Sequence, residues 1–134
     1  MSKTEVFFDS NTLLYLISED EAKAKRSDDL LGKGGTISVQ VLNEFAAVSR
    51  RKYKLDWPVV RDMLASFQSA FDIVPVSIDC HVRAMDLAEK HKFSIYDANI
   101  VAAAQLAGCS TLYSEDMQDG RVIGGLTIRN PYKI

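Results

Sequence analysis

The sequence predicts an α/β fold: a three-layer α/β/α sandwich around a mainly parallel sheet of four to five strands, forming a single domain over residues 1–134. Three observations lead there. Short apolar runs alternate with longer segments of helical periodicity along the whole chain. The apolar runs are compact and nearly continuous, as expected of parallel strands buried on both faces. No repeat, low-complexity tract or Pro- or Ser-rich linker divides the chain, and 47% hydrophobic with 25% charged residues suits one core.

Each element follows from local chemistry. Glu5-Val6-Phe7-Phe8-Asp9 reads as a short buried strand, after which Leu13, Leu14, Leu16 and Ile17 begin a helical pattern. Residues 21–31 form a charged helix that ends before Gly32, and GKGG is a turn. That turn lacks the Ser or Thr after GK that a phosphate-binding loop requires. Thr36 to Val39 is a second strand, followed by helix to about Lys54. Asp56, with Pro58 in the first turn, opens another helix that reaches about Phe71. Ile73 to Val76 is a third strand, and Asp79 is placed to cap a helix that runs to His91. Ser94 to Ala107 is the next helix, stopped by Gly108; Cys109 to Ser114 is a fourth strand and Leu126 to Arg129 a fifth.

Composition excludes several classes. At this length a fold buries about two thirds of its chain surface and needs no staples. Cys80 and Cys109 have no C-x-x-C motif and no His at ligand spacing, so they read as small core residues in a reducing compartment. The opening MSKTEVFFDS holds an apolar run too short for a signal peptide, and no run approaches the ~18 residues of a membrane span. A cytoplasmic protein is expected. The formal charge of −2 and a pI near 5.6 give no bulk attraction to polyanions. Nucleic acid would have to be bound locally, and SRRKYK, with Arg50, Arg51, Lys52 and Lys54, is one such locus; its ordinary reading is a solvated helix end.

The acids carry the chemistry. In open parallel sheets, ligands bind beyond the carboxyl ends of the strands. Asp9 falls at the carboxyl end of the first strand and Asp116 just past that of the fourth, although each alone also fits a helix cap or a loop acid. Glu44 occupies an apolar slot, because Val41, Glu44, Phe45 and Val48 follow the spacing of a core-facing stripe. Asp97 shares such a stripe with Ile100, Val101 and Ala104, while Ser94 to Asp97 also matches a capping box. Two carboxylates about 4 Å apart repel by roughly 4 kcal/mol at an effective dielectric near 20, so a cluster of four needs neutralising. Either protons are taken up through raised pKa values, or a divalent cation sits among them. Oxygen donors without His or Cys favour Mg²⁺ or Mn²⁺ over zinc.

FFDSNTLLYL, VLNEFAAV, FSIYDANIVAAA and TLYSEDMQDG, in that order and setting, resemble the four acidic motifs of PIN-domain nucleases, especially the VapC-like toxins of toxin-antitoxin pairs. The resemblance spans nearly the whole chain. It implies a metal-binding acidic quartet of Asp9, Glu44, Asp97 and Asp116, with Asp119 as a fifth acid and Asn11 and Ser114 supporting the ligands from behind. The implied activity is that of a metal-dependent endoribonuclease using Mg²⁺ or Mn²⁺, with a small antitoxin partner and a homodimeric state; in such an enzyme Arg50, Arg51 and Lys52 of the basic run are the candidate phosphate contacts.

Two alternatives differ in class. One is a PIN-like RNA- or protein-binding adaptor without turnover, which all four acids argue against. The other is an aspartyl-phosphate enzyme, which would want an acid where Asn11 stands. Leu42, Phe45, Trp57 and Phe67 fit either an exposed apolar contact face or core packing, and His81 and His91 carry no motif.

Overall fold

The computed structural model describes residues 5–133. Six strands form one sheet: β1 (Val6–Phe8), β2 (Thr36–Ser38), β3 (Asp72–Val74), β4 (Thr111–Tyr113), β5 (Val122–Ile123) and β6 (Leu126–Arg129). Their order is β3-β2-β1-β4-β6-β5, and every neighbouring pair is parallel except β5 with β6. The sheet therefore has one strand more than the four to five expected. The extra one, β5, is two residues long and returns through Gly124-Gly125, too short to leave a periodic signature.

Six α-helices connect the strands: α1 (Ser10–Leu14), α2 (Glu21–Leu31), α3 (Val39–Arg51), α4 (Trp57–Ala70), α5 (Ile78–His91) and α6 (Ile95–Leu106). A 3-10 turn, Tyr15–Ile17, extends α1. Side-chain caps set most of the starts. Asp20, Ser38, Ser77 and Ser94 each accept a backbone N–H three residues on. For α5 the cap is Ser77 rather than Asp79; Asp79 lies inside the first turn, where its charge favours the helix N-terminus.

The chain order decides which face each helix covers. From β1 to β2 to β3 the chain steps along the sheet in one direction, then reverses past β1 to reach β4. Parallel crossovers are right-handed, so reversing direction changes the face: α1 to α4 cover one side, and α5 with α6 the other. Packing agrees, with α1 against α3, α3 against α4, and α5 against α6. The core between these layers is filled by Phe7, Phe8, Leu13, Ile37, Val41, Phe45, Ile100, Val101, Leu112 and Ile128. Cys80 and Cys109 are buried within it, as expected.

The four side chains considered for a contact face separate. Phe45 and Phe67 are core, packed edge to face at 4.9 Å, and Leu42 is half-buried against the same cluster. Trp57 alone is well exposed, at 54%, and the Arg50 guanidinium lies 4.7 Å from its ring centre.

Candidate active site

The reversal of strand order at β1 and β4 creates the topological switch point, and their register places the first pieces of the site. Phe8 pairs with Tyr113, so Asp9 and Ser114 follow side by side where the two strands end. The Ser114 hydroxyl donates to Asp9 Oδ2 at 2.8 Å, and the Ser10 N–H donates to Oδ1 at 2.7 Å. Asp9 also stands at the N-cap of α1, and its carbonyl accepts from the Thr12 hydroxyl. Both roles foreseen for Asp9, helix cap and rim acid, are thus filled by one residue.

Asn11 and Ser114 bind the fourth-strand acids to this corner. Asn11 Nδ2 donates to Asp116 Oδ2 at 3.2 Å and to Ser114 Oγ at 3.4 Å, while its Oδ1 accepts the Glu115 N–H. Ser114 Oγ in turn accepts the Asp116 N–H. Residues 114 to 116 are therefore held on α1 by a chain of polar contacts.

Glu44 and Asp97 approach from opposite faces of the sheet. Glu44 is half-buried on α3, one position from the core residue Phe45. Asp97 is half-buried in the first turn of α6, which runs toward β4 and so opens at the strands' carboxyl rim. Gln40 links the two: its amide donates to Glu44 Oε2 and to the Tyr96 carbonyl, each at 3.3 Å. Ser94 caps α6 through the Asp97 N–H, so the cap and the rim position coexist here as well.

Electrostatics tie the four carboxylates to one another. Burial pushes Asp9 up to about 7, against the lowering effect of the Ser114 and Ser10 hydrogen bonds, and the charges of Glu44 and Asp116 push it further in the same direction. Asp97 is also raised, by burial and then by Asp116, with Ser94 opposing. No Lys or Arg pairs with Asp9, Glu44, Asp97 or Asp116 among the described residues. Oδ1 of Asp119 accepts the Asn130 N–H at 2.8 Å and so holds the turn after β6.

Glu115 explains part of the acidic run. It forms an ion pair with Lys23 of α2 at 2.5 Å and accepts the Tyr15 hydroxyl. Burial alone would raise its carboxyl, but Lys23 and Tyr15 hold it below the usual carboxylate range. Lys23 is raised in turn, chiefly by Glu115. Neither Lys23 nor Gln40 carries a motif, and the contact between Lys23 and Glu115 joins positions 92 residues apart. A helical charge pattern on α2 is the sole trace Lys23 leaves in the sequence.

Of the basic run, Arg50 donates to the Leu55 carbonyl and stacks on Trp57, so its charge serves the loop after α3. Arg51 is exposed. Lys52 and Tyr53 line a cleft of about 140 Å³ together with Asn11, Tyr15, Glu115 and Asp116, which puts Lys52 at the edge of the acids. His81 is exposed and His91 half-buried beside Phe93, both away from this corner.

A divalent cation suits this donor set. The donors are all oxygen, one carboxyl is 4% exposed and lacks a counter-charge, and its neighbours destabilise its ionised form. Among the described residues no three His, Cys, Asp or Glu side chains lie close enough together to hold a metal ion as they stand. An all-oxygen donor set without His or Cys suits Mg²⁺ or Mn²⁺ better than a structural zinc.

The fold recurs in known proteins. One solved structure is a toxin-antitoxin complex from Klebsiella pneumoniae, with a TM-score of 0.74 and 24% identity, covering 96% of this chain and 99% of that one. VapC20 of Mycobacterium tuberculosis, a sarcin-ricin loop cleaving toxin, gives a TM-score of 0.69 and 19% identity over 83% of this chain and 89% of its own. VapBC2 from Rickettsia felis, bound to a DNA fragment from their promoter, gives 0.67 and 23% over 93% and 97%. No curated protein matches. A family model for the PIN domain matches residues 6–120, a span that contains all four rim acids, and the chain therefore belongs to the PIN domain family.

Proposed function

We propose that this chain is a metal-dependent endoribonuclease that hydrolyses RNA phosphodiester bonds at the rim formed by Asp9, Glu44, Asp97 and Asp116, acting as the toxin of a toxin-antitoxin pair. One observation carries the reading: a buried carboxyl, Asp9, whose proton affinity is raised by burial and then further by two neighbouring acids, with no cation paired to them. PIN family membership and the printed names of the fold neighbours, one of them a loop-cleaving toxin, support it.

In this reading Asp9, Asp97 and Asp116 hold Mg²⁺ or Mn²⁺, and Glu44 ligates a second ion or orients the attacking water. When bound, the ion neutralises charge at the phosphate and makes water a better nucleophile. The chain's own groups do the rest. Ser114 and Asn11 fix the carboxylate orientations of Asp9 and Asp116, as hydrogen-bonded supports of ligands do elsewhere. Gln40 holds Glu44 beside the start of α6. Lys52, at the cleft edge, meets a phosphate of the incoming strand, with Arg51 further out. Asp119, hydrogen-bonded to Asn130, braces the loop rather than the ion. An antitoxin partner, a homodimeric state and a cytoplasmic location belong to the same reading; among the described residues no helix is long and apolar enough to cross a membrane.

The test is cleavage of RNA by the purified chain while Mn²⁺ or Mg²⁺ is titrated in and then removed with a chelator. Cleavage is expected to rise with the ion and stop on chelation. No ion-dependent cleavage of any RNA would leave the adaptor reading in its place.

A further inference from the structure

With a formal charge of −2, the chain has to hold a polyanion through a local concentration of cations, and the structure contains one that the sequence does not display. A groove of about 450 Å³ runs between α2 and the turn after β6, lined by Ala22, Lys23, Arg26, Pro131, Tyr132 and Lys133. Three of the six are cationic and none is acidic. Neither Arg26 nor Lys133 forms an ion pair among the described residues, whereas Lys25 on the same helix is paired with Asp29.

The groove is built, not incidental. Arg26 Nε donates to the Pro131 carbonyl at 2.9 Å, and Ser27 shares a hydrogen bond of 2.5 Å with the Tyr132 hydroxyl. The Tyr132 N–H donates to Asn130 Oδ1, and the Asn130 N–H to Asp119, so the turn is tied back toward the acidic loop. Tyr132 packs edge-on against Tyr15 at 4.8 Å. Burial pushes the Tyr132 phenol up to about 12, so it adds no negative charge. One end of the groove joins the rim: Lys23 lines the groove and also grips Glu115, the residue between Ser114 and Asp116.

We propose that this groove carries the single-stranded RNA segment flanking the scissile phosphate, with Arg26 and Lys133 on its backbone and Tyr132 beside its bases. The inference rests on the endoribonuclease reading for the position of the scissile phosphate. A strand cut among four carboxylates must leave across a surface that does not repel it, and this groove has cations and an aromatic ring at its wall, the combination that single-strand sites use. One wall, residues 131–133, lies beyond the 6–120 span that the PIN family model matches.

Anisotropy of a short fluorescein-labelled single-stranded RNA tests it, measured across a salt series in Mn²⁺ on the Asp97→Asn background to prevent cleavage. Arg26→Gln and Lys133→Gln should each weaken binding several-fold, and the double variant should reduce the slope of log affinity against log salt by about 1.4, or roughly 0.7 per lost phosphate contact. Arg26→Lys keeps the charge and should bind nearly as well as the parent. In the active chain, the double variant should leave hydrolysis of a dinucleotide, too short to enter the groove, unchanged. Unaltered affinity and slope in the double variant would overturn the proposal and leave the groove to a protein ligand. So would an Arg26→Lys variant as weak as Arg26→Gln, because the tether to Pro131 would then account for the loss. Groove-dependent binding without cleavage by the parent chain would instead refute the nuclease reading and keep RNA in the groove.

Discussion

Replacing Asp97 with Asn is expected to lower Mn²⁺-dependent RNA cleavage by well over 100-fold, beyond the roughly 10–100-fold that loss of a ligand's supporting partner costs. The fold should survive. Ser94 caps α6 through the backbone N–H of residue 97, a contact that Asn retains, and the apolar stretch Ala98 to Ala104 below it is untouched. Asp97 is also raised by burial and by Asp116, so removing its charge relieves repulsion in the ion-free chain. Cleavage assays beside thermal melts separate the effects. Full turnover in Asp97→Asn, or a collapse of its melting temperature, would count against the assignment.

Asp9→Asn should be inactive and yet more stable than the parent at neutral pH. In the fold Asp9 titrates near 7, against 3.8 for a free carboxyl. A raised carboxyl favours the protonated state, so its contribution is intact below about pH 4, where folded and unfolded chains are both protonated. It is then lost progressively as the pH rises toward 7, because the unfolded chain ionises first. The displacement corresponds to roughly 4 kcal/mol at most. Urea melts of the ion-free chain from pH 4 to 8 should show the parent losing stability relative to Asp9→Asn over that range. Adding Mn²⁺ at pH 8 should restore the parent and leave the variant unmoved, since a ligand that binds only the native state stabilises it. A difference between the two chains that stays flat across this range would contradict the burial of an uncompensated Asp9.

The architecture was legible because it is written in local patterns. Residues 21–31 form the helix their charge pattern and Gly32 indicate, and the stripe through Val41, Phe45 and Val48 is buried or half-buried as its spacing requires. The rim acids were legible through two rules acting together: strand ends locate the crevice, and a carboxylate in an apolar stripe marks something unusual. What escaped depends on contacts between distant segments. Asp9 meets Ser114 only because β1 and β4 pair in a particular register, and Glu115 is matched by a lysine on a helix near the other end of the chain. The same distance hid the cationic groove, whose walls come from residues 22–26 and 131–133. Conversely, the obvious run SRRKYK overstated its freedom. The Leu55 carbonyl and the Trp57 ring claim Arg50, a use of charge that no count of cations reveals.

The central claim is that Asp9, Asp97 and Asp116, from three separate segments, share one divalent ion, and anomalous diffraction from a crystal soaked in Mn²⁺ addresses it most directly. A manganese peak within coordination distance of Asp9, Asp97 and Asp116, with the Asp9 carboxylate still held by Ser114, is the expected result. A fully soaked crystal with no peak at that rim, or with manganese bound only elsewhere on the surface, would contradict it.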